Sequence, residues 1–342
     1  MTSVAIIGAG PAGCAAAIAL GTIGVRCVLF ERGRAGKDKA CGDGFVPSAV
    51  RALQRLGVDE GDLVALGGEA FHGVSLYGSA EDPLHVMKGD FEGWVIRRAA
   101  IDQHLRMIAA TRCDVSYETV VSAVDPYSGG IRLHLRDRAH ESFAAAIIAA
   151  GSGSLLSRIV QISGDPAVAL AVSAYAANKK AIKHLECYLR PSLRPGYGWR
   201  FPVNQSCSNV GVCLLGPSTG SRLRSVATAF GTSLGLYSSL PWRGGSAHLW
   251  SGRAGLWHRP EGVVSCGDAA GLVDPSSGEG LTAALISGWE AGRAVGLFVV
   301  SGRDARMLEQ YSSWVREYFK ARYARAVARD MWNAWIGLGA RD

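Results

Sequence analysis

The residues of this 342-residue chain whose types and spacing most directly imply chemistry are Gly8, Gly10 and Gly13. They form Gly8-Ala-Gly-Pro-Ala-Gly13, a GxGxxG turn between the apolar run Ser3–Ile7 and the Ala-rich stretch Cys14–Leu20. The pattern predicts strand, turn and helix, and Val25–Phe30 then reads as a second strand that ends at Glu31. Such a turn binds a pyrophosphate. Gly8 permits the tight bend, Gly10 lets phosphate approach the backbone, and Gly13 lets the helix pack close to the strand. The free N–H groups and the dipole at the helix N-terminus attract the anion. Glu31 follows Gly13 by 18 residues. An acid there accepts hydrogen bonds from a ribose 2′-OH and repels a 2′-phosphate, so the site suits FAD or NAD rather than NADP. Arg32, beside it, is grouped with the cofactor-binding residues. A purely structural glycine turn is the alternative; strand, helix and acid together favour the nucleotide.

Three further clusters carry chemical potential. Val263-Val-Ser-Cys266 reads as a strand that runs into Gly267-Asp268, then into Gly278-Glu-Gly280 and a helical pattern from Leu281 to about Val300. A carboxylate at the carboxyl edge of a strand can hold the hydroxyls of a polyol, and glycines at a helix start leave N–H groups facing a ring carbonyl or an anion. Lys39-Ala-Cys41-Gly-Asp43-Gly places a thiol and a carboxylate between glycines. Cys41 can donate a proton or shape a cavity, and Asp43 can orient that loop or accept a proton; a merely packed thiol is the alternative. Tyr197, Trp199 and Phe201 alternate, so on a strand all three face one side. They make either a wall for an apolar or planar ligand or a plain sheet core.

These segments resemble known ones. The segment from Gly267 to Leu281 resembles the second FAD fingerprint of the flavoprotein hydroxylase and reductase superfamily. By that resemblance Asp268 binds the ribityl chain and Gly278, Gly280 and Leu281 face the flavin pyrimidine, which favours FAD over NAD. Arg98, four residues before Asp102, resembles the Arg-led helix start that contacts FAD in those proteins; a solvent-facing Arg on an amphipathic helix is the alternative. Ala150, before Gly151, stands where the hydroxylases of the superfamily carry the Asp of an Asp-Gly pair. The Lys39–Gly44 segment and Tyr197-Gly-Trp-Arg-Phe-Pro202 together resemble the geranylgeranyl reductase family, with its K-x-C-G-D/E and Y-x-W-x-F-P motifs. That family's second motif usually ends in G-x-G; here it ends in Gly211-Val-Cys213. The resemblance runs in order from Val4 to about Ala294.

The resemblance implies an FAD-dependent oxidoreductase that reduces carbon–carbon double bonds of an apolar, isoprenoid-like substrate, with hydride from reduced flavin and a proton from Cys41, water or another pocket group. Tyr197, Trp199 and Phe201 are then the substrate-binding residues, Cys41 and Asp43 the catalytic candidates, and NADH or NADPH a transient electron donor. Two other readings stay open. One is an FAD-dependent monooxygenase of secondary metabolism or of protein side chains, so that the substrate is a small molecule or a protein or peptide. The other is a non-catalytic flavin-binding maturation partner. The W-x-W-x-I-P segment of halogenases is absent.

The elements that must position these groups follow from length and composition. About two domains fit this length, and 48% hydrophobic with 19% charged residues is the balance of a chain with a large core. Glycine, 44 residues, is near twice the usual ~7%. The net charge of +7 is mild; it suits an anionic cofactor or an acidic membrane surface, and nucleic acid is not expected. Eight cysteines without a C-x-x-C pair point to a reducing compartment. The eight histidines show no metal spacing, so no metal is expected, and no G-x-S-x-G elbow supports a serine hydrolase. Met1–Val25 carries no charge, but it lacks a signal peptide's basic start and holds Gly8, Gly10, Pro11 and Gly13. The expectation is a soluble, cytoplasmic protein, with peripheral membrane contact open.

The expected fold is α/β. A discontinuous Rossmann-like FAD-binding domain (1–70, 94–160 and 255–305) carries an inserted antiparallel β-sheet substrate domain (71–93 and 161–254), and 306–342 form C-terminal helices. Strands are expected at Val74–Tyr77, Glu186–Leu189, Gly198–Pro202, Val210–Leu214 and His248–Trp250, and a helix over Ser218–Leu236. The last stretch interleaves Arg316, Lys320, Arg322, Arg325 and Arg329 with Tyr318, Phe319, Tyr323, Val327, Met331, Trp332 and Trp335. It is either a packed helix with a solvated basic side or a surface for an acidic membrane or a partner.

Overall fold

Parallel strands covered on both faces need continuous apolar runs, and Val4–Ile7 and Ala145–Ile148 are such runs, buried at every position. In the computed structural model, which describes residues 3–36, 38–80, 82–137, 139–153, 156, 167–178, 182–216, 220–236, 240–252 and 257–328, they lie at the centre of a six-stranded sheet. Its order is His258–Arg259, Val263–Ser265, Ala145–Ile148, Val4–Ile7, Cys27–Phe30 and Asp114–Ser116, parallel throughout except at the His258–Arg259 edge. A smaller sheet of Val121–Tyr127, Gly130–Leu135 and Glu141–Phe143 packs on one face. Its Val124, Ile131, Leu133 and Phe143 share a core with Ala5, Ile7, Phe30, Ala146 and Ile148. These elements belong to the first of two compact units, spanning 1–37, 102–166 and 247–329.

The helices Pro11–Ile23 and Leu281–Val300 pack against each other in this unit, and glycine sets how closely. A Cβ on Gly288 would stand 2.2 Å from the Ala12 carbonyl oxygen, and one on Gly292 would stand 2.4 Å from that of Ala16. Leu281–Val300 is long and apolar enough to cross a membrane by length and composition, yet 61% of its apolar window is buried inside the protein. The helix Arg306–Ala328 turns Leu308, Tyr311, Val315, Phe319 and Tyr323 inward, the three-and-four spacing of a packed face. Tyr311 donates to the Ser265 carbonyl and Tyr323 to that of Leu272, each at 2.8 Å. The packed-helix reading therefore describes this element through Tyr323; Arg329, Met331, Trp332 and Trp335 lie outside the described residues.

The second unit, with 38–101 and 167–246, is built on an eight-stranded sheet. The order is Arg243–Leu249, Ala167–Ala177, Cys207–Leu215, Gly196–Asn204, Leu185–Tyr188, Glu69–Tyr77, Pro83–Val95 and Gly44–Phe45. From Ala167–Ala177 onward the pairings are antiparallel, except that Leu185–Tyr188 runs parallel to Glu69–Tyr77. The helix Gly220–Ser233 lays Leu223, Ala227 and Phe230 against Val172, Tyr188, Val210 and Val212. The division differs from the expected one. Residues 38–70 and 94–101 cluster with the sheet unit, because Gly44–Phe45 and Glu69–Tyr77 pair with Pro83–Val95. The described part of the terminal helix belongs with the first unit.

Candidate active site

The first unit builds a dinucleotide cradle at the ends of Val4–Ile7 and Cys27–Phe30. Gly8 adopts φ +107°, and its N–H donates to the Phe30 carbonyl at 2.7 Å. A Cβ on Gly13 would lie 1.9 Å from the Gly8 carbonyl oxygen, so that glycine is what lets the helix leave the strand so tightly. Above Gly10, by contrast, a Cβ would meet nothing within 4 Å. Gly10 caps the helix without a side-chain bond, and Pro11 occupies its first turn. Glu31 does more than the sequence suggested: its carboxylate accepts the Ala9 N–H at 3.0 Å and the Gly33 N–H at 2.7 Å, tying the glycine turn to the end of Cys27–Phe30. Arg32 is exposed.

Arg106 was not legible as a site residue. It is 6% exposed, its Nε donates to the Ala9 carbonyl at 3.0 Å, and its buried Nη1 has no hydrogen-bond partner among the described residues. A buried guanidinium beneath a phosphate-binding turn adds positive potential where the pyrophosphate belongs. Only its place eight residues after Arg98 could have drawn attention, and that spacing carries no chemistry of its own.

The second fingerprint is assembled in the same unit. After Val263–Ser265 the chain makes a 3-10 turn over Gly267–Ala270, with φ +60° at Gly267, whose N–H donates to Ser287 Oγ at 2.9 Å. The Asp274 carboxylate accepts the Ser276 N–H at 2.7 Å and the Ser276 hydroxyl at 2.6 Å, shaping the approach to Gly278 at φ +71°. A Cβ on Gly280 would stand 3.2 Å from Asp268 Oδ1, so the turn carboxylate and the helix start lie side by side. Leu281 opens the helix and is buried. Two neighbours are new. Glu279 Oε1 accepts the Thr282 N–H at 2.7 Å, its other oxygen lies 3.9 Å from Arg322, and burial pushes its pKa up. His248 hydrogen-bonds the Asp268 backbone, and burial pushes its pKa down.

This donor set fits FAD. The open space above Gly10, two helix N-termini that begin on glycine, and carboxylates just beyond two strands of the same sheet match a pyrophosphate flanked by hydroxyl-bearing groups. Glu31, Asp268 and the two glycine turns would hold it. Among the described residues no group of three His, Cys, Asp or Glu is placed to hold a metal ion.

The second unit gathers Cys41, Asp43 and Arg98 with the aromatic stripe. Asp43 is 1% exposed and has φ +64°, a left-handed conformation that a non-glycine residue holds only when its surroundings fix it. The surroundings are three donors: Tyr175 Oη at 2.7 Å, Asn209 Nδ2 at 2.8 Å and the Arg98 N–H at 3.1 Å. Burial raises the Asp43 pKa, and those hydrogen bonds oppose the rise. A carboxylate facing three donors is an acceptor hub that orients the loop. Arg98 is 5% exposed, which overturns the solvent-facing alternative, and it hydrogen-bonds the Cys41 thiol. Burial pushes the Cys41 pKa up, with Arg98 opposing. The thiol therefore carries its proton at neutral pH, as a proton donor must.

Tyr197, Trp199 and Phe201 share one face of Gly196–Asn204, with successive ring centroids 6.0 and 6.3 Å apart. Asn209, which the sequence did not mark, joins this stripe to the thiol loop. Its Oδ1 accepts the Trp199 indole N–H at 3.0 Å, and its Nδ2 donates to the Cys41 carbonyl at 2.7 Å as well as to Asp43. Gly211 leaves room for the indole: a Cβ there would be 2.1 Å from the Trp199 ring. A cavity of about 50 Å³ lies beside the loop, lined by residues that include Lys39, Cys41, Ser173, Tyr175 and Arg243.

Comparison with known proteins gives the same picture. Residues 1–86 match the FAD binding domain family. The menaquinone reductase of Mycolicibacterium smegmatis is 30% identical over 354 aligned positions, covering 95% of this chain and 82% of the relative. The digeranylgeranylglycerophospholipid reductase 1 of Methanopyrus kandleri is 29% identical over 348 positions, covering 95% and 89%. Among solved structures, a geranylgeranyl bacteriochlorophyll reductase-like protein of Thermoplasma acidophilum superposes with a TM-score of 0.83 at 22% identity, covering 94% of this chain and 85% of that one.

Proposed function

The chain belongs to the geranylgeranyl reductase family of FAD-dependent oxidoreductases, and from that premise we propose that it reduces carbon–carbon double bonds in an apolar, isoprenoid-like substrate. FAD, when bound and reduced, supplies a hydride equivalent from N5. The protein does the rest. The glycine turns with Glu31 and Asp268 bind and orient the cofactor. Tyr197, Trp199 and Phe201 hold an apolar chain and keep water from it. Cys41 holds the proton at Sγ that completes the addition of two hydrogens. NADH or NADPH is the proposed transient electron donor. The names of the two curated relatives carry a menaquinone and a digeranylgeranyl lipid as what those enzymes act on, which agrees with an apolar pocket wall.

The observation that carries this reading is the Asn209 bridge. One buried amide fixes both the Trp199 indole and the Cys41–Asp43 loop, so the surface that holds substrate and the group that donates a proton are set by the same residue. The test is product mass after incubation of FAD-loaded, reduced protein with an unsaturated polyprenyl lipid. A gain of two hydrogens supports the proposal. A gain of one oxygen makes the protein a monooxygenase, and no substrate consumption with FAD bound makes it a binding protein; either result overturns the reductase.

A further inference from the structure

Two cysteines that the cofactor chemistry does not use stand side by side in the first unit. Cys27 opens the strand Cys27–Phe30, and Cys113 immediately precedes the strand Asp114–Ser116. These strands pair in parallel with Val28 opposite Asp114, so Cys27 and Cys113 occupy the next register position. Neighbouring strands run roughly 4.7–4.9 Å apart, inside the roughly 4.4–6.8 Å that a disulfide requires between Cα atoms. The two thiols are close enough for each to influence the ionisation of the other. Both are free, and they differ in access: Cys27 is 3% exposed, whereas Cys113 is partly exposed.

We propose that Cys27 and Cys113 form a thiol–disulfide site that reacts with low-molecular-weight disulfides, with Cys113 attacking and Cys27 resolving. Cys113 is the attacking group because it is the accessible sulfur, whereas Cys27 is buried and burial raises its pKa. In the first step Cys113 Sγ attacks one sulfur of the small disulfide, that S–S bond breaks, and the first thiolate leaves. In the second, Cys27 Sγ gives up its proton to that thiolate and attacks Cys113 Sγ. The mixed disulfide breaks and the second thiolate leaves, taking the proton from solvent. Two protein thiols are oxidised to one disulfide, and one small disulfide is reduced to two thiols. The site needs neither FAD nor the lipid substrate, so it stands apart from the proposed reduction of double bonds.

The experiment treats the FAD-loaded full chain with oxidised glutathione, blocks remaining thiols with N-ethylmaleimide, and maps the digest by mass spectrometry. The expected result is a cross-linked peptide pair joining Cys27 to Cys113, short of two hydrogens. Cys27→Ser should instead retain one glutathione on Cys113, and Cys113→Ser should leave Cys27 unmodified. In the reduced protein, N-ethylmaleimide should label Cys113 at least tenfold faster than Cys27, on the order expected for an accessible against a buried thiol. Flavin absorbance shows that each variant has folded, and Cys27→Ala replaces Cys27→Ser if the hydroxyl is not tolerated at a buried site. The proposal is overturned if Cys113 stays fully alkylatable after oxidant, if its glutathione adduct persists with Cys27 intact, or if either cysteine links to a different partner.

Discussion

Gly10→Ala separates what the fold requires from what the cofactor requires. The Gly10 backbone has φ −81° and ψ −176°, an extended conformation that alanine adopts without strain. The added methyl group meets no protein atom within 4 Å. Replacing glycine where the backbone is compatible stabilises a protein by roughly 0.4–1 kcal/mol, through the unfolded chain. The apoprotein should therefore melt at the same temperature or slightly higher. The methyl points into the space where a pyrophosphate would touch the backbone, and displacing the anion forfeits at least one charge-assisted N–H bond, worth about 1.5–3 kcal/mol. At 1.4 kcal/mol per decade this weakens FAD binding by roughly 10- to 150-fold. Gly13→Ala is the contrast: its Cβ would sit 1.9 Å from the Gly8 carbonyl oxygen, a backbone atom that cannot swing aside. The apoprotein itself should lose about 1–3 kcal/mol or more. Thermal melts of both apoproteins and fluorescence titrations with FAD measure the two effects. If Gly10→Ala binds FAD within twofold of wild type, or melts below it, the reasoning about Gly10 fails.

Three further perturbations follow from the same geometry. Asn209→Leu leaves the Trp199 indole and the Cys41 carbonyl without their partner, at about 1–3 kcal/mol for each buried group; a denaturant melt should show the loss, and no change in midpoint would contradict the bridge. Gly292→Val forces a side chain to within 2.4 Å of the Ala16 carbonyl oxygen, so calorimetry should show a loss of at least 1–3 kcal/mol, on the order of overpacked cores. Burial raises the Glu279 pKa above its ordinary 4.5, so the folded protein binds the proton more tightly than the unfolded chain. This contribution is fully present below pH 4.5 and is lost as pH rises through the raised pKa. Wild type should therefore lose stability relative to Glu279→Gln across that window, and parallel stability profiles would refute the assignment.

The parts legible in the sequence are those whose residues are neighbours in the chain. The strand–turn–helix around Gly8–Gly13, the acid at Glu31 and the turn at Gly267 each place their functional atoms within one supersecondary unit, so spacing alone positions them. What escaped depends on long-range pairing. Asp43 meets Tyr175 and Asn209 across 132 and 166 residues, and Arg106 reaches Ala9 across 97. One strand runs against its local composition. Ala167–Ala177 reads AVALAVSAYAA, a composition with high helix propensity, yet it is a strand paired residue by residue with Cys207–Leu215. Tertiary pairing overrides propensity there, because Val172, Ala174 and Ala176 face a core that the helix Gly220–Ser233 completes. The missing second glycine of Gly211-Val-Cys213 also has a physical answer: the ring of Trp199 requires Gly211, whereas the core accommodates the Cys213 side chain, which is buried.

The glycine excess divides by the same test. At Gly13, Gly211, Gly288 and Gly292 a Cβ would collide with backbone or with a ring, so these glycines serve protein packing. At Gly8 and Gly267 a positive φ combines with close neighbours, so they serve the turns that aim the two fingerprints. Gly10 and Gly153 belong to neither group: each has open space around its Cβ and no left-handed backbone. Among the described residues nothing demands a glycine at either position. For Gly10 the sequence pattern already supplies the external demand, a phosphate against the backbone. Gly153 lies shortly after the strand Ala145–Ile148, which pairs with both Val4–Ile7 and Val263–Ser265, the strands that lead into the two FAD fingerprints. For Gly153 the open space is that of an exposed position, in the segment where this chain carries Ala150 and Gly151 in place of the Asp-Gly of the hydroxylases, so open space points to a ligand only where a glycine turn and a helix start stand beside it, as at Gly10.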